Sequence, residues 1–254
     1  MTELLLLLAG FVGGVLNSLA GGGSFIVFPA LLAAGVPPVI ANASNTYAAM
    51  PGYISGVIGF WPSMKEHRGQ LVLYTVISMV FGYLGAELLL HVSSRTFELA
   101  VPWLLLFAMT LFIFGARINT WLVAHWPPRA RFAGLIILLA AVCFYSGFFN
   151  AGGGILLLAA LTLSGITNML ALNGLKLWCA AAGAVTAVIR FIVAGSIDWY
   201  HGTIALIGVT TGAYLAARLA RFIPQPMLRA LVIVYGVGLS IWFFYSTYVS
   251  GSSA

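Results

Sequence analysis

Charged residues are scarce in this sequence, and their scarcity limits the class of protein. Asp, Glu, Lys and Arg make up only 6% of the 254 residues, whereas a typical soluble domain contains about a quarter. The chain is 62% hydrophobic with a mean hydropathy of +1.07. Its apolar runs are long and continuous, without the short alternation of an outer-membrane barrel. The composition excludes a soluble globular protein and predicts an all-α, polytopic membrane protein.

Groups that could perform chemistry are also few. The two cysteines, Cys143 and Cys179, both lie in apolar runs, and we interpret them as small core residues. No HExxH or GxSxG motif is present, no paired carboxylates share a segment, and the Cys and His spacings fit no metal site. We therefore expect neither an enzyme nor a bound metal or cofactor.

The remaining charge is mostly basic, with a net charge of +6. In a soluble protein this excess would suggest nucleic-acid binding. Here the Lys and Arg residues lie mainly in short loops between apolar segments, where they orient a protein in the lipid bilayer. No nucleic-acid partner is predicted.

Two of the apolar segments are too short to cross a membrane as helices. The segments are 3–20, 25–35, 39–61, 71–92, 102–118, 133–150, 155–165, 168–197, 203–222 and 228–249. As α-helix, segments 25–35 and 155–165 would each reach about 16 Å, roughly half of a hydrocarbon core. Each directly follows a Gly-Gly-Gly motif. We predict about eight hydrophobic helices, or up to ten segments when two short broken or re-entrant helices are counted.

The two halves of the chain resemble each other. The sequence AGGG at 20–23 recurs at 151–154, an offset of 131 positions, and later loops correspond at an offset of 130. Internal duplication with short broken helices at matching positions is typical of transporters whose substrate site lies between the repeats. We therefore predict two pseudo-symmetric repeats, 1–127 and 128–254, joined by a polar linker at 119–132.

The distribution of Lys and Arg favours inverted repeats. If each half crosses the membrane an even number of times, the loop charges divide five against four, which gives no bias. If the Gly-Gly-Gly motifs turn the chain back and the number is odd, eight residues share one side and Arg95 lies on the other. The eight are Lys65, Arg68, Arg117, Arg129, Arg131, Arg218, Arg221 and Arg229. The positive-inside rule then places both termini on the outer side.

The Gly-Gly-Gly motifs have two explanations. Glycines at a helix break permit positive φ and close backbone approach, and the free N–H groups of a helix start form an anion site. The alternative is close helix packing through small residues. Because the motif occurs twice in register, we favour a substrate site. Its candidate residues are Gly21, Gly22, Gly23, Ser24, Gly152, Gly153 and Gly154.

Polar side chains interrupt two apolar segments at corresponding places. The segments read IANASNT at 40–46 and LALNGLK at 170–176. Such side chains either hydrogen-bond to neighbouring helices or line a transport path. The candidates for substrate binding are Asn42, Ser44, Asn45, Thr46, Asn150 and Asn173.

Lys176, which aligns with Thr46, is the most unusual of the intramembrane residues. It lies about twenty residues before the next loop at Asp198, too far for its side chain to reach water at that end. An intramembrane cation indicates a functional site by default, and we expect Lys176 to attract an anionic substrate. The alternative is a lysine that extends toward the nearer end of its helix.

Four further residues are candidates for ion coupling. Asp198 and His201 form part of a titratable cluster on the outer side, and histidine changes its charge near neutral pH. The alternative there is an ordinary solvated loop. Arg190 and Glu87 lie at similar depth, and a structural ion pair is the favoured interpretation of these two residues.

These motifs resemble a known family. The sequence AGGG-(x)5-PALLAAG at 20–35, followed by ANASNT at 41–46, is similar to the sulfite exporter TauE/SafE family. The second motif, AGGGILLL, lies where the family has it, and the resemblance extends over nearly the whole chain. Related members often have a lysine at the position of Thr46, whereas the intramembrane lysine of this chain is Lys176.

The resemblance implies a multi-pass permease of a bacterial inner membrane. Its substrate would be sulfite, an organosulfonate or a similar small anion. The motif positions are matched by Gly21, Gly22, Gly23, Asn45, Thr46, Gly152, Gly153, Gly154 and Lys176. No nucleotide motif is present, so an ion gradient is the expected energy source. A passive anion channel and a non-transporting membrane scaffold or assembly factor stay open as alternatives, as does assembly into a homo-oligomer.

Overall fold

The computed structural model describes residues 2–19, 21–219 and 225–249, and this part of the chain is almost entirely helical. Its α-helices are α1 (Thr2–Leu19), α2 (Ser24–Ala33), α3 (Pro38–Met64), α4 (Arg68–His91), α5 (Ser94–His125), α6 (Pro128–Phe148), α7 (Gly153–Leu161), α8 (Met169–Val193), α9 (Trp199–Leu219) and α10 (Gln225–Phe244). Short 3-10 turns follow α3 and α7. Ala20 and Arg221, which entered the sequence predictions, lie outside the described residues. The predicted all-α class is confirmed.

Several helices are long and apolar enough to cross a membrane. Within the described part of the chain, these stretches are Thr2–Leu19, Pro38–His91, Ser94–Gly115, Arg129–Phe148 and Met169–Val193. Large apolar side chains also face outward, since Val72 and Val193 are 74% and 78% exposed. Such exposure is stable where hydrocarbon rather than water surrounds the helices. The chain is therefore a multi-pass membrane protein.

The predicted polar linker at 119–132 is mostly helical. α5 continues to His125 and α6 begins at Pro128, so only Trp126 and Pro127 separate the two helices. Proline suits the first position of a helix, because its φ is already helical and its missing N–H would have no partner there. The two prolines therefore mark the start of α6.

The chain turns back at each Gly-Gly-Gly motif. Gly21 and Gly152 have φ angles of 87° and 84°, which glycine adopts without the steric cost of a side chain. After the first turn Gly23 packs against Gly13, and α7 begins beside α6 in the same way. α2 and α7 contain 10 and 9 residues, about 14–15 Å of helix. Each therefore lies alongside the helix before it and spans about half of a hydrocarbon core.

α3 and α8, which the sequence repeat equates, are antiparallel. Gly56 of α3 packs against Leu177 of α8, and Gly174 of α8 packs against Phe60 and Met64 of α3. Residue numbers thus rise along α3 as they fall along α8. Close approach through glycine brings these two helices together.

Six of the long helices, α1, α3, α4, α6, α8 and α9, fall into two groups within which the helices run in the same direction. The pairs that show this are Gly10–Ala205 and Gly14–Ala213 for α1 and α9, Ser44–Gly202 and Gly52–Ala213 for α3 and α9, Ser78–Cys143 and Gly85–Phe148 for α4 and α6, and Thr75–Trp178 and Glu87–Arg190 for α4 and α8. α1, α3 and α9 therefore run one way, and α4, α6 and α8 run the other. Inverted repeats require these opposed directions, while the division of the chain at residue 127 stays a prediction.

The inverted arrangement predicts the location of two loops. Ser63, at the end of α3, and Gln225, at the start of α10, should lie on the same, cytoplasmic side because of the eight-to-one distribution of basic residues. We expect Ser63→Cys and Gln225→Cys to be labelled by an impermeant thiol reagent only from that side. The native Cys143 and Cys179 are only 3% and 0% exposed, so the reagent should label them very little. Labelling from opposite sides would contradict the inverted arrangement.

Candidate functional site

The two chain breaks are in direct contact. A β-carbon added to Gly21 would lie 2.6 Å from the carbonyl carbon of Gly154 and 2.6 Å from the nitrogen of Ile155. One added to Gly154 would lie 2.9 Å from the Cα atom of Gly21. Only residues without a side chain permit this approach. The ends of α1 and α6 and the starts of α2 and α7 are therefore brought together.

The starts of the two short helices are free of side-chain caps in the part of the chain that the structure describes. Gly23 precedes α2 and Gly152 precedes α7, and neither position supplies a capping hydrogen bond from a side chain. Some of the first N–H groups donate to carbonyl oxygens of the turns, as those of Phe25 and Gly153 do to Gly22 and Asn150. The helix dipole nevertheless makes each of these ends positive. Two such ends at one place favour a negatively charged ligand.

A small, partly enclosed cavity, with free space for about one water molecule, lies beside the second break. It is bounded by residues of α3, α6, α7 and α8 and by the turn before α7. The polar side chains among its lining residues are those of Thr46, Tyr53, Ser146 and Asn150, with the thiols of Cys143 and Cys179. A mostly apolar cavity with a few convergent polar groups is typical of small-molecule sites.

Asn150 links the second break to α3. Its side-chain oxygen accepts a hydrogen bond from the Tyr53 hydroxyl at 3.1 Å, and its backbone N–H donates to Oδ1 of Asn42 at 3.4 Å. Nδ2 of Asn42 donates to the carbonyl oxygen of Phe148 at 3.0 Å. Asn150 is 6% exposed, and its own Nδ2 has no hydrogen-bond partner. The cavity is thus lined by a residue with an unused amide donor.

Lys176 holds the end of α1. The side chain is fully buried, and Nζ donates to the carbonyl oxygens of Asn17 at 3.3 Å and Ser18 at 3.2 Å. It also donates to Oδ1 of Asn173 at 3.0 Å. An ammonium group has three donors, and all three have acceptors. A cation at the C-terminal end of a helix also interacts favourably with the helix dipole.

The remaining polar residues of α3 have different surroundings. Ser44 accepts a hydrogen bond at 2.8 Å from the backbone N–H of Asp198. Thr46 donates to the carbonyl oxygen of Asn42 at 3.1 Å and lines the cavity. Asn45 is 1% exposed, and neither polar atom of its side chain has a hydrogen-bond partner. A buried amide without partners costs free energy, so Asn45 calls for an explanation.

The other candidate glycines pack closely against neighbouring helices. Gly22 approaches Val232 of α10, Gly23 approaches Asn17, and Gly152 approaches Ala108 of α5. Gly153 lies against Ser146. Ser24 is buried and lies close enough to Tyr53 to interact with its hydroxyl. These residues shape the breaks through packing, and their role in substrate binding stays a prediction.

The coupling candidates form two separate pairs. Arg190 binds Glu87 through two hydrogen bonds, one of them 3.2 Å between Nη2 and Oε1, so the predicted ion pair is present. Asp198 accepts hydrogen bonds from the backbone N–H and the ring of His201, both at 3.0 Å, and caps the start of α9. Partial burial of the Asp198 carboxyl group is outweighed by these hydrogen bonds, which lower its pKa. A coupling role for either pair stays a prediction.

Four of the hydroxyl- and thiol-bearing residues that line the cavity were absent from the sequence-based candidates. Tyr53, Ser146, Cys143 and Cys179 all line it. Tyr53 lies seven positions after Thr46, two turns along the same face of α3, and this spacing could have identified it. Both cysteines lie beside Ser78. Cys143 donates to its hydroxyl group at 3.4 Å, and Cys179 is close enough to interact with the same group. Their proximity depends on the packing of α6 against α8 and has no signal in the sequence.

Comparison with known proteins gives matches over nearly the whole chain. The profile of a family described as "Sulfite exporter TauE/SafE" matches residues 6–243. The probable membrane transporter protein YfcA of Escherichia coli K12 is 29% identical over 95% of this chain and 88% of its own length.

Two further relatives carry similar descriptions. A probable membrane transporter protein of Haemophilus influenzae is 26% identical over 91% of this chain and 89% of its own length. The probable membrane transporter protein ORF9 of a Sinorhizobium species is 27% identical over 93% and 90%. No solved structure matches the chain.

Proposed function

Because the chain belongs to the sulfite exporter TauE/SafE family of membrane transporters, we propose that it carries a small oxyanion such as sulfite or an organosulfonate. The anion binds between the two halves, where the Gly-Gly-Gly breaks meet. Transport is secondary active and takes place across a bacterial inner membrane. The breaks supply the site because they place the positive ends of two helix dipoles inside the protein and away from lipid.

The contact between Gly21 and Gly154 is the observation that carries this proposal. It brings two uncapped helix starts to one place beside a cavity, where each contributes a partial positive charge. Nδ2 of Asn150 adds a buried donor without a partner. An oxyanion offers acceptors for all of these groups, and its charge strengthens each hydrogen bond.

The distribution of charged side chains also favours an anion. None of the five acidic residues lines the cavity. The protonated side chain of Lys176 adds positive charge beside the first break, although its donors already bind Asn17, Ser18 and Asn173. It therefore acts on the substrate through its electric field. Asn150 and the backbone N–H groups contact the anion directly.

The opposed directions of the two helix groups support alternating access. In transporters built from inverted repeats, one half rocks against the other around a site at their interface. Here α3 and α8 cross between the halves and carry Thr46, Tyr53, Asn173 and Lys176. A relative movement of these two helices would open the cavity first to one side and then to the other.

Counterflow in proteoliposomes tests the proposed function. Vesicles preloaded with unlabelled sulfite should accumulate external labelled sulfite transiently, with saturation, and a panel of thiosulfate, sulfoacetate and sulfate should rank the competing anions. A passive channel would give flux without saturation or counterflow. A scaffold would give no protein-dependent flux of any anion, and either result would contradict the proposal.

A further inference from the structure

Lys176 is the only charged residue among the buried side chains that the structure describes. Its Nζ atom donates to three acceptors, the carbonyl oxygens of Asn17 and Ser18 and the amide oxygen of Asn173. Of the two forms of a lysine side chain, only the ammonium group has three N–H donors, so these surroundings fit the charged form. The described interior therefore contains one positive charge.

This charge lies beside the cavity. Cys179 and Ala180 follow Lys176 by one turn on the same face of α8, and both line the cavity. Tyr53 also lines it, and its hydroxyl group lies close enough to the side chain of Asn17 to interact with it. The carbonyl oxygen of Asn17 in turn accepts from Lys176. An anion in the cavity is therefore attracted by one buried positive charge.

The cavity has no second full charge among the described residues that line it. The titratable groups there are the phenol of Tyr53 and the thiols of Cys143 and Cys179, which are neutral at neutral pH. The charged residues and histidines on the surrounding helices lie within four residues of a helix end; they are Glu3, Arg68, Glu87, His91, Arg129, Arg131 and Arg190. A ligand with two negative charges would therefore leave one of them buried without a partner, which is costly.

Two hydroxyl groups at the cavity already use their protons within the protein. The hydroxyl of Tyr53 donates to Oδ1 of Asn150 at 3.1 Å, and that of Thr46 donates to the carbonyl oxygen of Asn42 at 3.1 Å. Each hydroxyl oxygen keeps its capacity to accept a hydrogen bond. A ligand that carries a proton can donate to these oxygens, whereas a fully ionised oxyanion has only acceptors to offer.

We propose that the transporter selects monovalent anions and carries sulfite in its singly protonated form, hydrogensulfite. Lys176 balances the single charge, Nδ2 of Asn150 donates to an oxygen of the anion, and the proton of the anion is donated to Tyr53 or Thr46. Sulfite takes up one proton before it binds, and hydrogensulfite loses that proton after release on the other side. Each turnover thus moves one proton on the substrate itself. The inference rests on the proposed function and names the ionic form of its substrate.

Calorimetric titration of the detergent-solubilised full chain tests this selection. Sulfite, methanesulfonate and sulfate are titrated at constant ionic strength, from below to above the second ionisation of sulfurous acid. The apparent dissociation constant for total sulfite should rise about tenfold for each pH unit above that ionisation, because only the protonated fraction binds. The value for methanesulfonate, a monoanion over the whole range, should stay constant. Sulfate, a dianion over the same range, should bind at least about tenfold more weakly than methanesulfonate.

Methanesulfonate separates the ionisation of the substrate from that of the protein. An equal rise with pH for sulfite and methanesulfonate would show that a group of the protein titrates, and would overturn the proposal. Equal affinities for sulfate and methanesulfonate would also overturn it, while anion binding itself would stay supported. Binding of none of the three anions would contradict the proposed function and this inference with it.

A double variant tests the acceptor role of the two hydroxyl groups. Tyr53→Phe and Thr46→Val together remove both acceptors with little change of shape. The dissociation constant for hydrogensulfite, measured at low pH, should rise about tenfold, while that for methanesulfonate, which has no proton to donate, should not change. Thr110→Val is the matched control, because Thr110 donates to the carbonyl oxygen of Leu106 within its own helix but is exposed on α5. An equal loss of affinity for both anions would overturn the assignment of the proton to these hydroxyl groups.

Discussion

Replacing Gly21 by alanine should abolish transport and destabilise the protein strongly. Gly21 has a φ of 87°, and a residue with a β-carbon in this conformation costs about 1–2 kcal/mol. The new β-carbon would also lie 2.6 Å from the backbone of Gly154, and such overpacking costs about 1–3 kcal/mol. We expect a combined loss of about 2–5 kcal/mol in unfolding free energy. Thermal unfolding and sulfite counterflow would measure the two effects.

Alanine variants of three other glycines separate the effect of backbone strain at Gly21 from the effect of its contact with Gly154. Gly35 has a φ of 86° and nothing within 4 Å of an added β-carbon, so Gly35→Ala should show only the conformational cost and keep its transport. Gly154→Ala introduces the contact without the positive φ, and should reduce counterflow more than it reduces stability. Gly238→Ala lies within α10 and has open space, so it should keep transport and be slightly stabilising, because alanine is the better helix former. If transport falls only in proportion to stability, the breaks serve packing rather than binding.

Replacing Lys176 by methionine should weaken anion binding while leaving the protein folded. Removal of the buried ammonium relieves an insertion cost of about 2.5–3.5 kcal/mol. It leaves Ser18 and Asn173 without the bond from Lys176, at about 1–3 kcal/mol each, while Asn17 still accepts from Gly21. These terms nearly cancel, so the melting temperature should change little.

The loss of anion affinity follows from the electric field of Lys176. At a separation on the order of 10 Å and an effective dielectric constant near 20, the attraction between unit charges is about 1.7 kcal/mol. The dissociation constant for sulfite should therefore rise about tenfold to twentyfold in Lys176→Met. Lys65→Met removes the other lysine of the sequence and should leave the affinity unchanged. Equal affinity in both variants would show that Lys176 only fixes the end of α1.

The membrane class, the short helices and the breaks were predictable from the sequence because each depends on local composition. A low charge content and long apolar runs are sufficient for the class. The glycines at 21–23 and 152–154 lie inside apolar runs, where a continuous helix does not need them. They are therefore sufficient to predict two helix breaks. The unusual position of Lys176 was also visible, because an intramembrane cation needs no structure to be recognised.

The partners of these residues could not be predicted, because they come from distant parts of the chain. Lys176 binds carbonyl oxygens of Asn17 and Ser18, more than 150 positions away. Backbone carbonyl oxygens at a helix end cannot be recognised in a sequence. The sequence analysis therefore predicted an anionic partner for Lys176 and did not predict its hydrogen bonds to α1. The missing partners of Asn45 likewise appear only after α3 has packed against its neighbours.

The two breaks differ in their surroundings although the sequence motifs are alike. At the first, the ammonium of Lys176 fixes the end of α1. At the second, Asn45 and Asn150 have side-chain atoms without partners, and a small cavity lies beside Asn150.

Sulfite counterflow by Asn150→Asp tests most directly whether an anion binds at the converging breaks. Aspartate keeps the oxygen that accepts from Tyr53, but it replaces the unused Nδ2 donor with an oxygen that repels an oxyanion. We predict that the apparent affinity for sulfite falls at least tenfold, since a hydrogen bond to a charged group contributes about 1.5–3 kcal/mol. Asn168→Asp, at the exposed start of α8, should retain its cap and wild-type counterflow. Wild-type affinity in folded Asn150→Asp would contradict a site at the breaks.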